Sequence, residues 1–169
     1  PSSTQTRIPP VEVTYGERQS LYFTGRGSAA GIMMDSVLGG AGIAIGIAID
    51  EGIAKDISAA ILASNPGFTM DGLVKDVLKE KVQQGMNVDG LKSLVITKYG
   101  FQAAPDDKVA PFVALQFTCE SAAIPVVAFT SNNKELAIPF EQSKTNGKLV
   151  EKLLRDAVAE LLGMHNSCE

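Results

Sequence analysis

Gly39-Gly40-Ala41-Gly42-Ile43-Ala44-Ile45-Gly46-Ile47-Ala48-Ile49 carries no charge, and two periods run through it at once. Ile43, Ile45, Ile47 and Ile49 recur at every second residue, the spacing of a strand. Gly42 and Gly46 recur at four, repeated by Ala44 and Ala48, which suits a small-residue face on a helix. Glycine disfavours a helix by about 1 kcal/mol per residue relative to alanine and weakens a strand as well, so propensity does not decide. The flanks do. From Ser28 to Ala63 the chain holds no proline and is rich in Ala, Ile and Met, and a strand here would stand without an obvious neighbour, so the stretch is read as helix. Side chains this small let a backbone, a lipid tail or a ligand approach to van der Waals contact. Gly42, Ile43, Gly46 and Ile47 are therefore the expected contacts of a binding or assembly surface.

Downstream, Ile53, Ile57, Ala60 and Ile61 share one helical face, with Asp50 as the expected cap and Asn65-Pro66-Gly67 as the stop. Thr69 to Gln84 reads as a second helix: Leu73, Val74, Val77, Leu78 and Val82 form its stripe, Thr69 caps it and Gly85 ends it. The period then changes. Leu91 to Phe101, Val109 to Cys119, Ile124 to Thr130 and Glu135 to Phe140 are four strand-like runs, with Asn132-Asn133 as a two-residue hairpin turn. Val113, Leu115, Phe117 and Cys119 fall on one face of the second run. Leu149, Val150, Leu153, Leu154, Ala157, Val158, Leu161 and Leu162 make a broad apolar stripe on a last helix, which Thr145 or Asn146 starts and Gly163 ends. Upstream, Pro10 to Tyr15 and Gln19 to Thr24 read as two short strands that could form a hairpin. The expected fold is α+β: an antiparallel meander packed against the amphipathic C-terminal helix and a second helix, with a Gly/Ala-rich helical segment in the N-terminal part. Residues 1–9 are expected to be a flexible polar tether, 10–163 a single domain and 164–169 a tail.

Composition excludes several classes of function. With 169 residues, 45% of them hydrophobic and 20% charged, the chain can bury one good core. The net charge is −4 and no stripe of Lys or Arg is present, which speaks against a nucleic-acid partner. The uninterrupted apolar run Val37 to Ile49 is shorter than the roughly 20 residues that a bilayer span requires. Cys119 and Cys168 form an even pair, expected as a disulfide in an oxidising compartment that closes the last helix onto a strand. The single histidine, His165, three residues from Cys168, could join Cys119 and Glu169 in a partial zinc site, but the spacing matches no common zinc template and a fourth ligand is missing, so no metal is expected. A base in a terminal tail also suits neither Ser-His-Asp nor Cys-His catalysis. Asp106-Asp107, with no further acid nearby, reads as a solvated loop tip.

One enzymatic alternative has a motif. Gly25-Arg26-Gly27-Ser28-Ala29-Ala30 fits G-x-G-x-x-A, follows a strand-like run and precedes Asp50 at a suitable distance. In a dinucleotide site Gly25 and Gly27 would admit a pyrophosphate and Asp50 would accept from a ribose hydroxyl. The context argues against it. The next strand would be half Gly and Ala, the alternating βα units are missing, and no room remains for a substrate domain. No cofactor and no catalytic residue are expected.

The order of these features resembles small exported lipoproteins of Gram-negative bacteria: a polar N-terminal tether, a Gly/Ala-rich apolar segment, a helix ending at Gly85, a meander and a final amphipathic helix. Thr69 to Leu162 is similar in outline to transport auxiliary lipoproteins and to TolB N-terminal-like domains, and Gly42-x-x-x-Gly46 is a fragment of a glycine-zipper repeat. The resemblance implies a signal peptide, a periplasmic location and an outer-membrane anchor on a cysteine, which would have preceded Pro1. The implied role is non-catalytic: binding a protein partner or self-association, with a possible membrane tether. An immunity or inhibitor protein against a secreted toxin is the third reading, since small size, acidity and a lack of catalytic residues suit it equally.

Overall fold

Two long strands, β3 (Leu91–Ala104) and β4 (Lys108–Cys119), form the centre of the sheet in the computed structural model, which describes residues 11–27, 41–120, 126–129, 134–164 and 168. They pair antiparallel from Leu91↔Cys119 to Ala104↔Lys108. The turn between them places Asp106 and Asp107 at φ 65° and 55°, a left-handed conformation that Asp tolerates better than most L-residues. Leu94, Ile96, Phe101, Val109, Val113 and Leu115 are fully buried on the face that carries the core.

Each outer edge is a single line of strand interrupted once. On the β3 side, β1 (Glu12–Tyr15) pairs with Ser93–Ile96 and β2 (Tyr22–Thr24) pairs with Gly100–Gln102, both parallel to β3. The expected hairpin of the first two strands is therefore corrected, and the sheet is mixed rather than antiparallel throughout. Parallel pairing needs a long crossover, and α1 (Ala41–Ser64) and α2 (Met70–Gln83) provide it. On the β4 side, β5 (Val126–Phe129) pairs with Ala114–Phe117 and β6 (Ile138–Pro139) with Lys108–Val109, both antiparallel. The run expected as strand from Glu135 to Phe140 is only partly so. Lys134–Leu136 is a 3-10 turn, and Phe140 opens a short helix, α3 (Phe140–Thr145), with its N–H on the Asp107 carbonyl at 3.0 Å.

The last helix, α4 (Gly147–Met164), begins after Asn146, whose side-chain oxygen accepts the Leu149 N–H at 3.2 Å, and runs one residue past Gly163. Its stripe of Val150, Leu154, Ala157, Val158 and Leu162 is completely buried among β4, α1 and α2. Thr69 caps α2 through the Gly72 N–H at 3.2 Å, and Gly85 follows its end at φ 101°. Cys119 and Cys168 lie at disulfide distance, with Cα atoms 5.5 Å apart and sulfurs 2.00 Å apart, which places Cys168 at the end of β4. The tether expected at 1–9, the Asn132-Asn133 turn, Ile124, Thr130, His165 and Glu169 lie outside the described residues.

Candidate functional site

The stretch from Ala41 to Ile49 is helical, as its flanks predicted, and it is the first part of a helix that continues to Ser64. Asp50 is therefore not a cap. It sits inside α1 on the inward face formed with Gly46, Ala54, Ile57 and Ile61, and is 8% exposed. A buried carboxylate needs hydrogen-bond donors, and this one finds them in the backbone of the turn after β2. Its Oδ1 accepts the Gly27 N–H at 2.6 Å and its Oδ2 the Gly25 N–H at 3.3 Å. Both glycines are needed. Gly25 has φ 110°, and a Cβ on Gly27 would stand 1.8 Å from the Gly46 carbonyl oxygen. The residue between them fastens the turn a third time: Arg26 forms an ion pair with Asp107, and its guanidinium carbon lies 3.8 Å from the centroid of the Phe140 ring. One tripeptide thus joins α1 to the β3–β4 turn and to α3.

This latch fixes which side of the Gly/Ala-rich segment faces outward. Gly46 is buried, so the close approach that small residues permit there is already occupied by Gly27 of the same chain. Ile45, Ile47 and Ile49, by contrast, are 38%, 56% and 40% exposed, and Ala48 is exposed between them. On a helix residues four apart share a face and residues two apart do not, so Ile45 and Ile49 stand together beside Ala48, while Ile47 is exposed on the other flank of the inward face. Of the four contacts expected from sequence, Ile47 is exposed on the flank opposite Ile45 and Ile49 and Gly46 is buried; the burial of Gly42 and Ile43 lies outside what is described. Ile45 and Ile49 belong to the surface and were not selected. The signal was present in the spacing Gly46, Asp50, Ala54, Ile57, Ile61, which marks the inward face and leaves the odd-numbered isoleucines outside it.

The residues of the dinucleotide alternative do meet, but they satisfy one another. The amides of Gly25 and Gly27, which would cradle a pyrophosphate, hold the Asp50 carboxylate that would bind a ribose. Ser28 to Ala30 lie outside the described residues. Among the described residues no group of three His, Cys, Asp or Glu side chains could hold a metal ion, and no helix is long and apolar enough to cross a membrane.

A second polar cluster lies beneath the start of α2. The Tyr15 hydroxyl donates to Asp71 Oδ1 at 2.9 Å and accepts the Asp71 N–H at 3.1 Å. Desolvation, the largest influence on Asp71, works to raise its pKa, but hydrogen bonds from Tyr15 and Thr69 and the charge of Lys75 outweigh it and hold the carboxyl below its ordinary value. Burial pushes the Tyr99 hydroxyl up to about 12, and it donates to the Gln19 carbonyl at 3.1 Å. These groups tie β1, the chain after it and α2 together. No known protein family, curated protein sequence or solved structure matches the chain.

Proposed function

We propose that this protein acts by binding rather than by chemistry, docking a protein partner or a second copy of itself on the exposed isoleucines at the start of α1. The observation that carries the proposal is the pairing of an uncharged, exposed surface at Ile45, Ile47 and Ile49 with a rigid mount beneath it at Gly46 and Asp50. A pre-fixed apolar surface loses little conformational freedom when a partner covers it. The mutual satisfaction of Gly25, Gly27 and Asp50 favours this reading over nucleotide binding. Cys119 and Cys168 at disulfide distance support an oxidising compartment, which suits a periplasmic envelope protein; a lipid anchor is implied by the resemblance alone. A photo-crosslinking residue placed at Ile47 in the native host tests the docking. The expected result is a discrete adduct, at twice the chain mass if the partner is a second copy, and none from the same residue at Lys152, an exposed position on α4. Equal, diffuse labelling from both positions would refute it.

A further inference from the structure

The back of α1, turned away from buried Asp50, Ile57 and Ile61, runs along Ile45, Ala48, Gly52, Ala59 and Ala63, with Ile49 and Leu62 at its margins. All seven are exposed. Ile45, Ile49 and Leu62 are three of the five large apolar side chains exposed among the described residues, so this one helix face holds most of them. Gly52 at its centre carries a second signal. Glycine inside a helix costs about 1 kcal/mol relative to alanine. A Cβ on Gly27 or Gly147 would clash with the backbone of α1, which explains those glycines, whereas a Cβ on Gly52 would meet nothing within 4 Å. The fold does not require a glycine here; a backbone approaching from outside the chain would.

The charges of this face select the partner. Glu51 and Lys55 are exposed one turn apart on the same flank, and neither forms an ion pair with any described residue. A second α1 laid antiparallel on the first, about a two-fold axis at Gly52, keeps this flank on the same side of both helices. Each Lys55 then stands about 3 Å along the helix axis from Glu51 of the second copy, well within reach of a lysine side chain. Ile45 comes opposite Ala59 of the second copy, so a large side chain meets a small one at either end. Asp56, on the other flank, stays about 12 Å along the axis from its own mate. The face is thus complementary to itself in shape and charge, as a two-fold contact has to be.

We infer that the occupant of this face is a second copy of the chain, bound antiparallel through Ile45, Ala48, Gly52 and Ala59 with two Lys55–Glu51 pairs across the axis. The inference rests on the docking reading above and names its partner. Sedimentation of the full chain from micromolar to millimolar concentration tests it, and a monomer–dimer equilibrium is expected. Glu51→Lys and Lys55→Glu should each raise the dissociation constant at least tenfold, because two ion pairs become two like-charge contacts. Mixed in equal amounts, the two variants should regain the wild-type constant, since every lysine then faces a glutamate. Gly52→Ala strengthens the isolated helix and should still weaken the dimer, while Lys152→Glu and Asp156→Lys on α4 should leave it unchanged. Glu51, Gly52 and Lys55 are exposed, so circular dichroism should show their variants folded. Four results would each overturn the inference: a chain that stays monomeric, charge-reversed variants that dimerise like wild type, a mixture no tighter than its components, or a Gly52→Ala dimer as tight as wild type. If the chain is monomeric, a photoreactive residue at Ala48 separates the two claims: an adduct with another host protein leaves the docking reading standing, and no adduct removes it as well.

Discussion

Replacing Gly27 by alanine should be one of the most damaging single-methyl changes available to this protein. The added Cβ would stand 1.8 Å from the Gly46 carbonyl oxygen and 2.9 Å from Asp50 Oδ1, and neither is the free end of a long side chain that could swing away. The turn has to retreat by more than an ångström, and the 2.6 Å bond from the Gly27 N–H to the buried carboxylate is lost with it. A hydrogen bond to a charged group contributes about 1.5–3 kcal/mol, and one partner left buried without it adds to the loss. Alanine returns about 0.4–1 kcal/mol by restricting the unfolded chain. The expected net loss is about 2–3 kcal/mol, or about 5–10 °C in Tm for a chain of this length. Urea denaturation followed at 222 nm measures it, with Gly52→Ala as the internal control. Gly52 is exposed in the middle of α1 and a Cβ there would meet nothing within 4 Å, so that change should stabilise by about 0.5–1 kcal/mol. A Gly27→Ala midpoint within error of wild type, alongside a raised midpoint for Gly52→Ala, would show that the turn after β2 does not hold α1 in place.

Other consequences are open to direct measurement. Bonding of Cys119 to Cys168 closes a loop across 49 residues, for which chain entropy gives about 4 kcal/mol; reduction should lower the denaturation midpoint accordingly, and an unchanged midpoint in Cys119→Ser/Cys168→Ser would show that the link adds no stability. Because the folded pKa of Tyr99 stands above its unfolded value, its contribution is complete below pH 10 and is lost as pH rises towards about 12. Tyr99→Phe should therefore lose stability less steeply than wild type between pH 10 and 12, and parallel curves would exclude Tyr99 as the cause. Asn146→Ala removes the acceptor for the Leu149 N–H at the start of α4 and should cost about 1 kcal/mol in thermal denaturation, whereas Asn146→Ser should nearly restore it.

The helices with complete apolar stripes were legible from residue spacing. In α2 the stripe, the cap and the terminal glycine all agree, and in α4 the stripe and the cap do although the helix runs past Gly163, because helix burial is a local pattern written within a few turns. Val113, Leu115, Phe117 and Cys119 were placed correctly for the same reason, alternation being the strand's own period. The partners of β1 and β2 were not legible: pairing with β3 crosses some 80 residues of sequence, and nothing in a four-residue strand states which neighbour or which direction it takes. The role of Asp50 was hidden likewise, since a carboxylate that accepts from two distant amides looks in sequence like any helix-starting aspartate. At the candidate site, the alternation of isoleucine with glycine and alanine announced close approach but not its direction. Only the inward spacing from Gly46 to Ile61 separates the face that meets Gly27 from the face that meets solvent.

That outward face is where the functional proposal stands or falls. The triple variant Ile45→Ser/Ile47→Ser/Ile49→Ser changes side chains that are 38%, 56% and 40% exposed, so its denaturation midpoint should stay close to that of wild type. The decisive measurement is the yield of crosslinked complex from a photoreactive residue at the neighbouring exposed Ala48, compared at equal amounts of folded protein with and without the three substitutions. Docking through the isoleucines predicts that the complex disappears while the fold remains; an undiminished complex in the serine variant would contradict it.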